Sequence, residues 1–204
     1  MRQMNLIFFL GVIAVLSSCQ PNPGCTKLPI LGNRDIQGQD TIYPTIPDFA
    51  FMDQDSQVIT NATFQDRNYV VDFFFISCPT ICPKVKKQML RVYQHFEQRP
   101  ELAFLSHTID VRHDTIPRLK AYADGLGVDG NRWHFVTGME DSIYGIAGSY
   151  FSVAQKDPDS PGGFDHSGRL ILVDRHRHVR SFCDGTDPES VDQFILDIEC
   201  LLNE

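Results

Sequence analysis

"YVVDFFFISCPTICPKVKKQML", Tyr69 to Leu90, changes character twice. Tyr69 to Ser77 is a near-continuous apolar run rich in β-branched and aromatic residues. Such a run reads as a central strand buried on both faces. "CPTICP" follows, with three residues between Cys78 and Cys82. Then Val85, Met89, Val92, Tyr93 and Phe96 recur at helical spacing, which predicts a helix from about Thr80 to Gln98. Pro83 fits that helix only in its first turn, where its missing N–H costs nothing. Both cysteines therefore fall where a buried strand hands over to a helix.

Outward from this unit the pattern alternates. Upstream, "IPDFAFMDQDSQVI" predicts two short strands around a polar turn at Asp53 to Ser56, an N-terminal β-hairpin extension. Downstream, "LAFLSHTID" and "WHFVTG" read as strands, and "DTIPRLKAYADGLG" and "EDSIYGIAGSYF" as helices. "AQKDPDSPGG" reads as a loop. "DHSGRLILVD" and "HVRSFCDG" read as two strands joined by a tight turn, and "DPESVDQFILDIECLLN" as a closing helix capped near Asp187. The order predicts an α/β fold, a mixed central sheet with helices on both faces.

The N-terminus reads differently. "MRQMNLIFFLGVIAVLSSC" has a basic residue, an apolar run from Leu6 to Leu16, small residues and then Cys19. That is the anatomy of an export signal. The run is short against the roughly 20 residues that a membrane-spanning helix needs. Its end, Leu16-Ser17-Ser18-Cys19, resembles the lipobox of bacterial lipoproteins, in which the cysteine is lipidated. We therefore expect a lipoprotein signal peptide over residues 1–18, a lipid-anchored flexible tether over 19–45 and a globular domain over 46–204. The domain would face the periplasm of the bacterial cell envelope, held to the membrane by lipid on Cys19.

With 204 residues, 42% hydrophobic and 22% charged, one ordinary domain can bury a core. A net charge of −8 leaves no basic surplus for neutralising phosphates, so a nucleic-acid partner is not expected. Export places the cysteines where disulfides persist. Lipidation of Cys19 would leave five, an odd number, so at least one stays outside any intramolecular bridge. Cys183 and Cys200 form one candidate disulfide, and Cys25 is either free or paired with a later cysteine.

Cys78 and Cys82 admit three readings: a structural disulfide, a redox dithiol, or half of a metal site. Helix N–H groups and the helix dipole stabilise thiolates, so both pKa values are expected to fall. C-x-x-x-C is one residue longer than the C-x-x-C of thioredoxin-type exchange. The longer spacing suits two thiolates converging on a soft ion such as Cu(I) or Zn, with a third ligand from elsewhere. His166 follows a Gly/Pro-rich loop and opens a strand. Spacing ranks it only slightly above His107, His113 and His134. His176 and His178 belong to a surface turn, and His95 lies on the helix.

"DFFFISCPTICPKVKKQM" resembles the C-x-x-x-C-P segment of the Sco/SenC family, copper-binding proteins of cytochrome c oxidase assembly. "LSHTIDVRHDTIPRLKAYADGLG", with Asp110 and Asp114-Thr115, resembles the family's next strand and helix start. "WHFVTG", "FDHSGRLILVD" and "CDGTD" resemble later family segments in order, so the likeness runs from about Ile46 to Leu201. It implies a thioredoxin-like fold, with Cys78, Cys82 and His166 as ligands of copper, Cu(I) or Cu(II). It also implies a copper chaperone, not an enzyme in the turnover sense, for the dinuclear copper centre of the oxidase. The alternative function is thiol–disulfide oxidoreduction by the Cys78/Cys82 pair on that copper-bearing subunit or another exported thiol protein. Peroxiredoxin-type chemistry shares the fold but needs a threonine three residues before the reactive cysteine, where this chain has Phe75.

Overall fold

The structure, a computed structural model, describes Cys25 and residues 27–38 and 40–204. The expected export signal and Cys19 lie outside the described residues. The strands are β1 (Asp35–Gln37), β2 (Asp40–Ile42), β3 (Ala50–Asp53), β4 (Val58–Thr60) and β5 (Asn68–Phe74). After α1 (Cys82–His95) come β6 (Leu102–Thr108), α2 (Ile116–Leu126), β7 (Trp133–Thr137) and α3 (Glu140–Ala147). The chain closes with β8 (Ala154–Lys156), β9 (Phe164–His166), β10 (Arg169–Val173), β11 (Val179–Asp184) and α4 (Pro188–Leu202).

Seven strands form one sheet in the order β11-β10-β5-β6-β7-β3-β4. β5, β6 and β7 run parallel, with Val71 opposite Leu105 and Phe104 opposite Trp133. β10 and β3 join this core antiparallel, and β11 and β4 form the edges. The sheet is mixed, as the sequence predicts. The expected hairpin forms as β3 and β4 and extends the sheet beyond β7. β8 and β9 make a separate two-stranded ribbon: β8 lies in the stretch that reads as a loop, and the single strand read over "DHSGRLILVD" is split into β9 and β10.

Side chains on a strand alternate between faces, and the aromatic contacts show both faces filled. On one face Phe74 and Phe135 meet Tyr122 of α2, and Lys86 of α1 lies over the Phe74 ring. On the other, Phe73 stacks on His107 beside Tyr150, which sits in the 3-10 turn that follows α3. β5 and β6 are buried almost throughout, which explains their unbroken apolar reading.

Cys25 is bonded to Cys200 near the end of α4, not Cys183 to Cys200 as the sequence suggests. α4 runs back along β11, so Cys200 lies near the start of that strand, where Arg180 pairs with Glu204 at 2.7 Å. Cys183 is three residues further along β11, buried and unbonded. The segment after Cys25 lies against the domain. Leu31 N–H donates to Val179 C=O at 2.8 Å, and Leu28 N–H donates to Glu204 Oε1 at 2.8 Å. Among the described residues no helix is long and apolar enough to cross a membrane.

Candidate metal centre

β5 delivers the site to its carboxyl end, the usual place of function in such a sheet. The strand stops at Phe74, and Cys78 N–H turns back to Phe75 C=O at 3.2 Å. Asp114 braces the turn. Its Oδ2 accepts Ile76 N–H at 3.0 Å and the Thr108 hydroxyl at 2.6 Å. Burial nonetheless pushes the Asp114 carboxyl up. The sequence offers Asp114 only as part of a motif, without this bracing role.

α1 begins at Cys82, two residues later than predicted, with Pro83 in its first turn. Ile81 precedes it and supplies no side-chain cap; Pro83 has no N–H and Lys84 N–H donates to Ile81 C=O at 2.9 Å, which leaves the Cys82 N–H for the Cys78 sulfur. The two thiols then diverge, where the sequence predicts that both fall. Burial pushes Cys78 up, but hydrogen bonding to the Thr80 and Cys82 backbone and to the Cys82 and Thr80 side chains outweighs it, and the pKa is lowered. Burial dominates at Cys82 and raises its pKa far above the ordinary thiol range. The helix start alone does not decide: Cys82 belongs to the helix and lies deeper.

His166 arrives from 84 residues beyond Cys82, on β9. β8 holds it, with Ala154 directly opposite. Gly168, at φ +63°, turns the chain from β9 into β10. Gly168 C=O accepts Gly185 N–H at 3.0 Å. A Cβ at Gly185 would stand 2.7 Å from that carbonyl oxygen, so the glycine of "CDGTD" permits the approach. The Phe75 ring meets the imidazole edge-on at 5.8 Å.

His166 Nε2 lies 3.3 Å from Cys82 Sγ and 3.9 Å from Cys78 Sγ. All three ligand atoms lie within 4.8 Å of one another, on buried side chains. Sulfur and nitrogen bound to one ion can be at most about 4.4 Å apart, taking zinc-like bonds of about 2.3 and 2.1 Å. Both separations meet that limit, so the donor set fits one soft ion. Burial lowers the His166 pKa and favours the neutral ring that ligates. Its Nδ1 is buried with no hydrogen-bond partner.

The structure separates the other histidines from this cluster. His107 is enclosed by aromatic rings, among them Phe73 at 4.8 Å and Phe51 at 5.4 Å. His113 pairs with Asp110 at 2.9 Å in an exposed position, and His134 pairs with Asp53 at 3.0 Å. His95 faces Glu199 on the surface, and His178 lies 3.5 Å from Asp174. His176 belongs to the same surface turn as His178.

Residues 37–203 match the family model described as SCO1/SenC. A SCO1 protein homolog of Bacillus subtilis is 24% identical over 165 residues, covering 80% of this chain and 86% of the relative. The crystal structure of a SCO1/SenC family lipoprotein from Bacillus anthracis superposes with a TM-score of 0.70 at 23% identity, covering 78% of this chain and 95% of that one. BsSco, described as a member of the Sco family of cytochrome c oxidase assembly proteins with a disulfide switch, gives 0.67 at 22% identity over 77% and 92% of the two chains. Bradyrhizobium japonicum ScoI with copper bound gives 0.60 at 19% identity over 77% and 99%. These solved structures share a thioredoxin-like fold with this chain.

Proposed function

The chain belongs to the SCO1/SenC family, and on that premise we propose that it binds copper through Cys78, Cys82 and His166 and serves maturation of the dinuclear copper centre of cytochrome c oxidase. The observation that carries this reading is the convergence of two sulfurs and one imidazole nitrogen within 4.8 Å. Soft thiolates favour Cu(I), and a neutral imidazole completes a three-coordinate set. Copper is cargo here, taken from a donor and passed to the copper-bearing subunit. Loading must displace protons from both thiols, and most of that cost falls on Cys82, where burial opposes ionisation.

The same thiols support a second reading, thiol–disulfide oxidoreduction. Their unequal pKa values favour it. The Cys78 thiolate would attack a target disulfide, bond to one sulfur and release the other as a thiolate. Cys82 would then give up its proton and attack Cys78, leaving an intramolecular disulfide and a reduced target.

The domain, residues 46–204, would act outside the cytoplasm. Residues 1–18 would be removed on export, lipid on Cys19 would anchor the chain, and residues 19–45 would connect anchor to domain. A mature N-terminus other than acylated Cys19, read by mass spectrometry, sinks the anchoring proposal.

The functional test is a Cu(I) titration of the reduced protein against a competing chelator, beside a disulfide-reduction assay. One equivalent should bind, and His166→Ala should weaken binding about tenfold or more. Unchanged stoichiometry and affinity in that variant would refute the three-ligand site. Weak copper binding with fast disulfide reduction would favour the second reading.

A further inference from the structure

β8 and β9 pair only with each other, so the ribbon that carries His166 stands apart from the seven-stranded sheet. Its backbone is tied down behind the histidine. Ser167 Oγ lies 2.8 Å from Ser152 Oγ, and Gly168 is buried beside Ile81. The imidazole itself has less to hold it. The last torsion of a histidine side chain has only broad preferences. A ligating imidazole is ordinarily fixed by a hydrogen bond from its second nitrogen. His166 Nδ1 is buried and meets no such partner among the described residues. That leaves packing to set the ring.

The packing partner is Phe75, whose side chain is buried at the end of β5. Its ring meets the imidazole edge-on, with 5.8 Å between centroids and 80° between planes. The same ring lies 5.0 Å from that of Phe164, two residues earlier on β9. It also underlies the turn that joins β8 to β9, where a Cβ on Gly162 would stand 2.8 Å from two of its carbons. Phe164, His166 and Gly162 thus bear on one ring. Phe75 itself belongs to the cysteine side of the site, since its carbonyl accepts Cys78 N–H at 3.2 Å.

Resting on the proposed copper site, we propose that Phe75 is a positioning residue for the third ligand. Its ring seats the β8–β9 ribbon and turns His166 Nε2 toward the two sulfurs. One side chain thereby keeps Cys82 and His166, 84 residues apart, in a common geometry. Gly162 is the ribbon's half of the contact, because only a residue without a side chain lets the turn close on the ring. Gly163 has the same left-handed backbone, φ +84° against +81°, but a Cβ there would meet nothing within 4 Å. The two glycines therefore separate backbone strain from contact with the ring.

The test compares Phe75→Leu, which keeps an apolar side chain in the core, with Gly162→Ala and Gly163→Ala. Amide hydrogen exchange is followed by mass spectrometry on the reduced, metal-free protein. Phe75→Leu and Gly162→Ala should speed exchange in β8 and β9 about tenfold without changing β6, and Gly163→Ala should speed it by no more than about threefold. Cu(I) affinity is then measured for Phe75→Leu with and without His166→Ala. The substitution should weaken binding about tenfold on its own. Beside His166→Ala it should cost no more than about twofold, because its effect passes through that ligand. Equal losses in both backgrounds overturn the proposal, since Phe75 would then serve the fold at large. So does equal exchange in the two glycine variants, or ribbon exchange in Phe75→Leu that matches wild type. Should Phe75→Leu fail to fold, the glycine comparison decides by itself. A wild-type protein that takes up no copper counts against the copper reading, and the metal-free exchange still decides whether Phe75 seats the ribbon.

Discussion

His166 Nε2 and Cys82 Sγ lie 3.3 Å apart across 84 residues of chain. Neither residue is held in place by the other. Cys82 is fixed by the start of α1, and His166 by the β8–β9 ribbon and the Gly168 turn. The approach is therefore a property of the assembled domain, and the thiols inherit unequal surroundings from it.

That inequality should appear in alkylation. With Cys78 lowered and Cys82 and Cys183 raised by burial, the latter to about 12, iodoacetamide at pH 7.5 should modify Cys78 first. We expect Cys78 to react about tenfold or more faster than either of the others, since thiolate is the nucleophile. Pulse labelling followed by peptide mapping reads the order. Equal rates at Cys78 and Cys82 would contradict the environments described.

His107 gives a prediction for pH. Burial lowers its imidazole from an ordinary value near 6.5 to about 3. Neither ring nitrogen has a hydrogen-bond partner. Between those values the unfolded chain takes up a proton that the folded chain excludes. Stability is thus fully present above about pH 6.5 and falls as pH drops toward 3. The slope for one such group is about 1.4 kcal/mol per pH unit. His107→Phe, which keeps an aromatic ring against Phe73, should flatten the urea-measured stability profile between pH 6 and 4 by about that amount. A profile parallel to wild type would count against a neutral buried His107.

Much of this arrangement is legible in the sequence and some of it is not. "YVVDFFFIS" reads as a central strand because both its faces are covered, and β5 is that strand. The cysteine turn and the helix behind it follow from Pro83 and the spacing of Val85, Met89 and Val92. His166 cannot be singled out from His107, His113 and His134 by spacing, because its place depends on β9 pairing with β8, two three-residue strands inside a Gly/Pro-rich stretch. The family likeness, not the spacing, points to it. Thiol electrostatics is hidden for a similar reason. A helix start is visible in the sequence, whereas the depth of Cys82 is set by packing. Cysteine pairing is equally hidden, because it depends on which end of β11 faces the end of α4.

The Cys25–Cys200 bond closes 175 residues of chain. Cys25→Ser should lower stability by about 2–4 kcal/mol. Guanidinium unfolding under non-reducing conditions measures the loss, and peptide mapping of the wild-type protein should recover the linked Cys25 and Cys200 peptides. Recovery of a Cys183–Cys200 peptide instead would contradict the structure.

The same bond acts as a ruler. A lipid on Cys19 would be followed by six residues up to Cys25, a reach of at most about 20 Å when fully extended. The bond would tie that short leash beside the end of α4, a helix of 15 residues that is about 22 Å long. The ligand turn lies toward the other end, where α1 and α4 both begin. Copper would then be offered about one helix length above the leash's point of attachment, so a partner must extend into that layer to collect it. Were that disulfide reduced, Leu28 and Leu31 would still be held by Glu204 and Val179, so the point of attachment would shift by only about three residues.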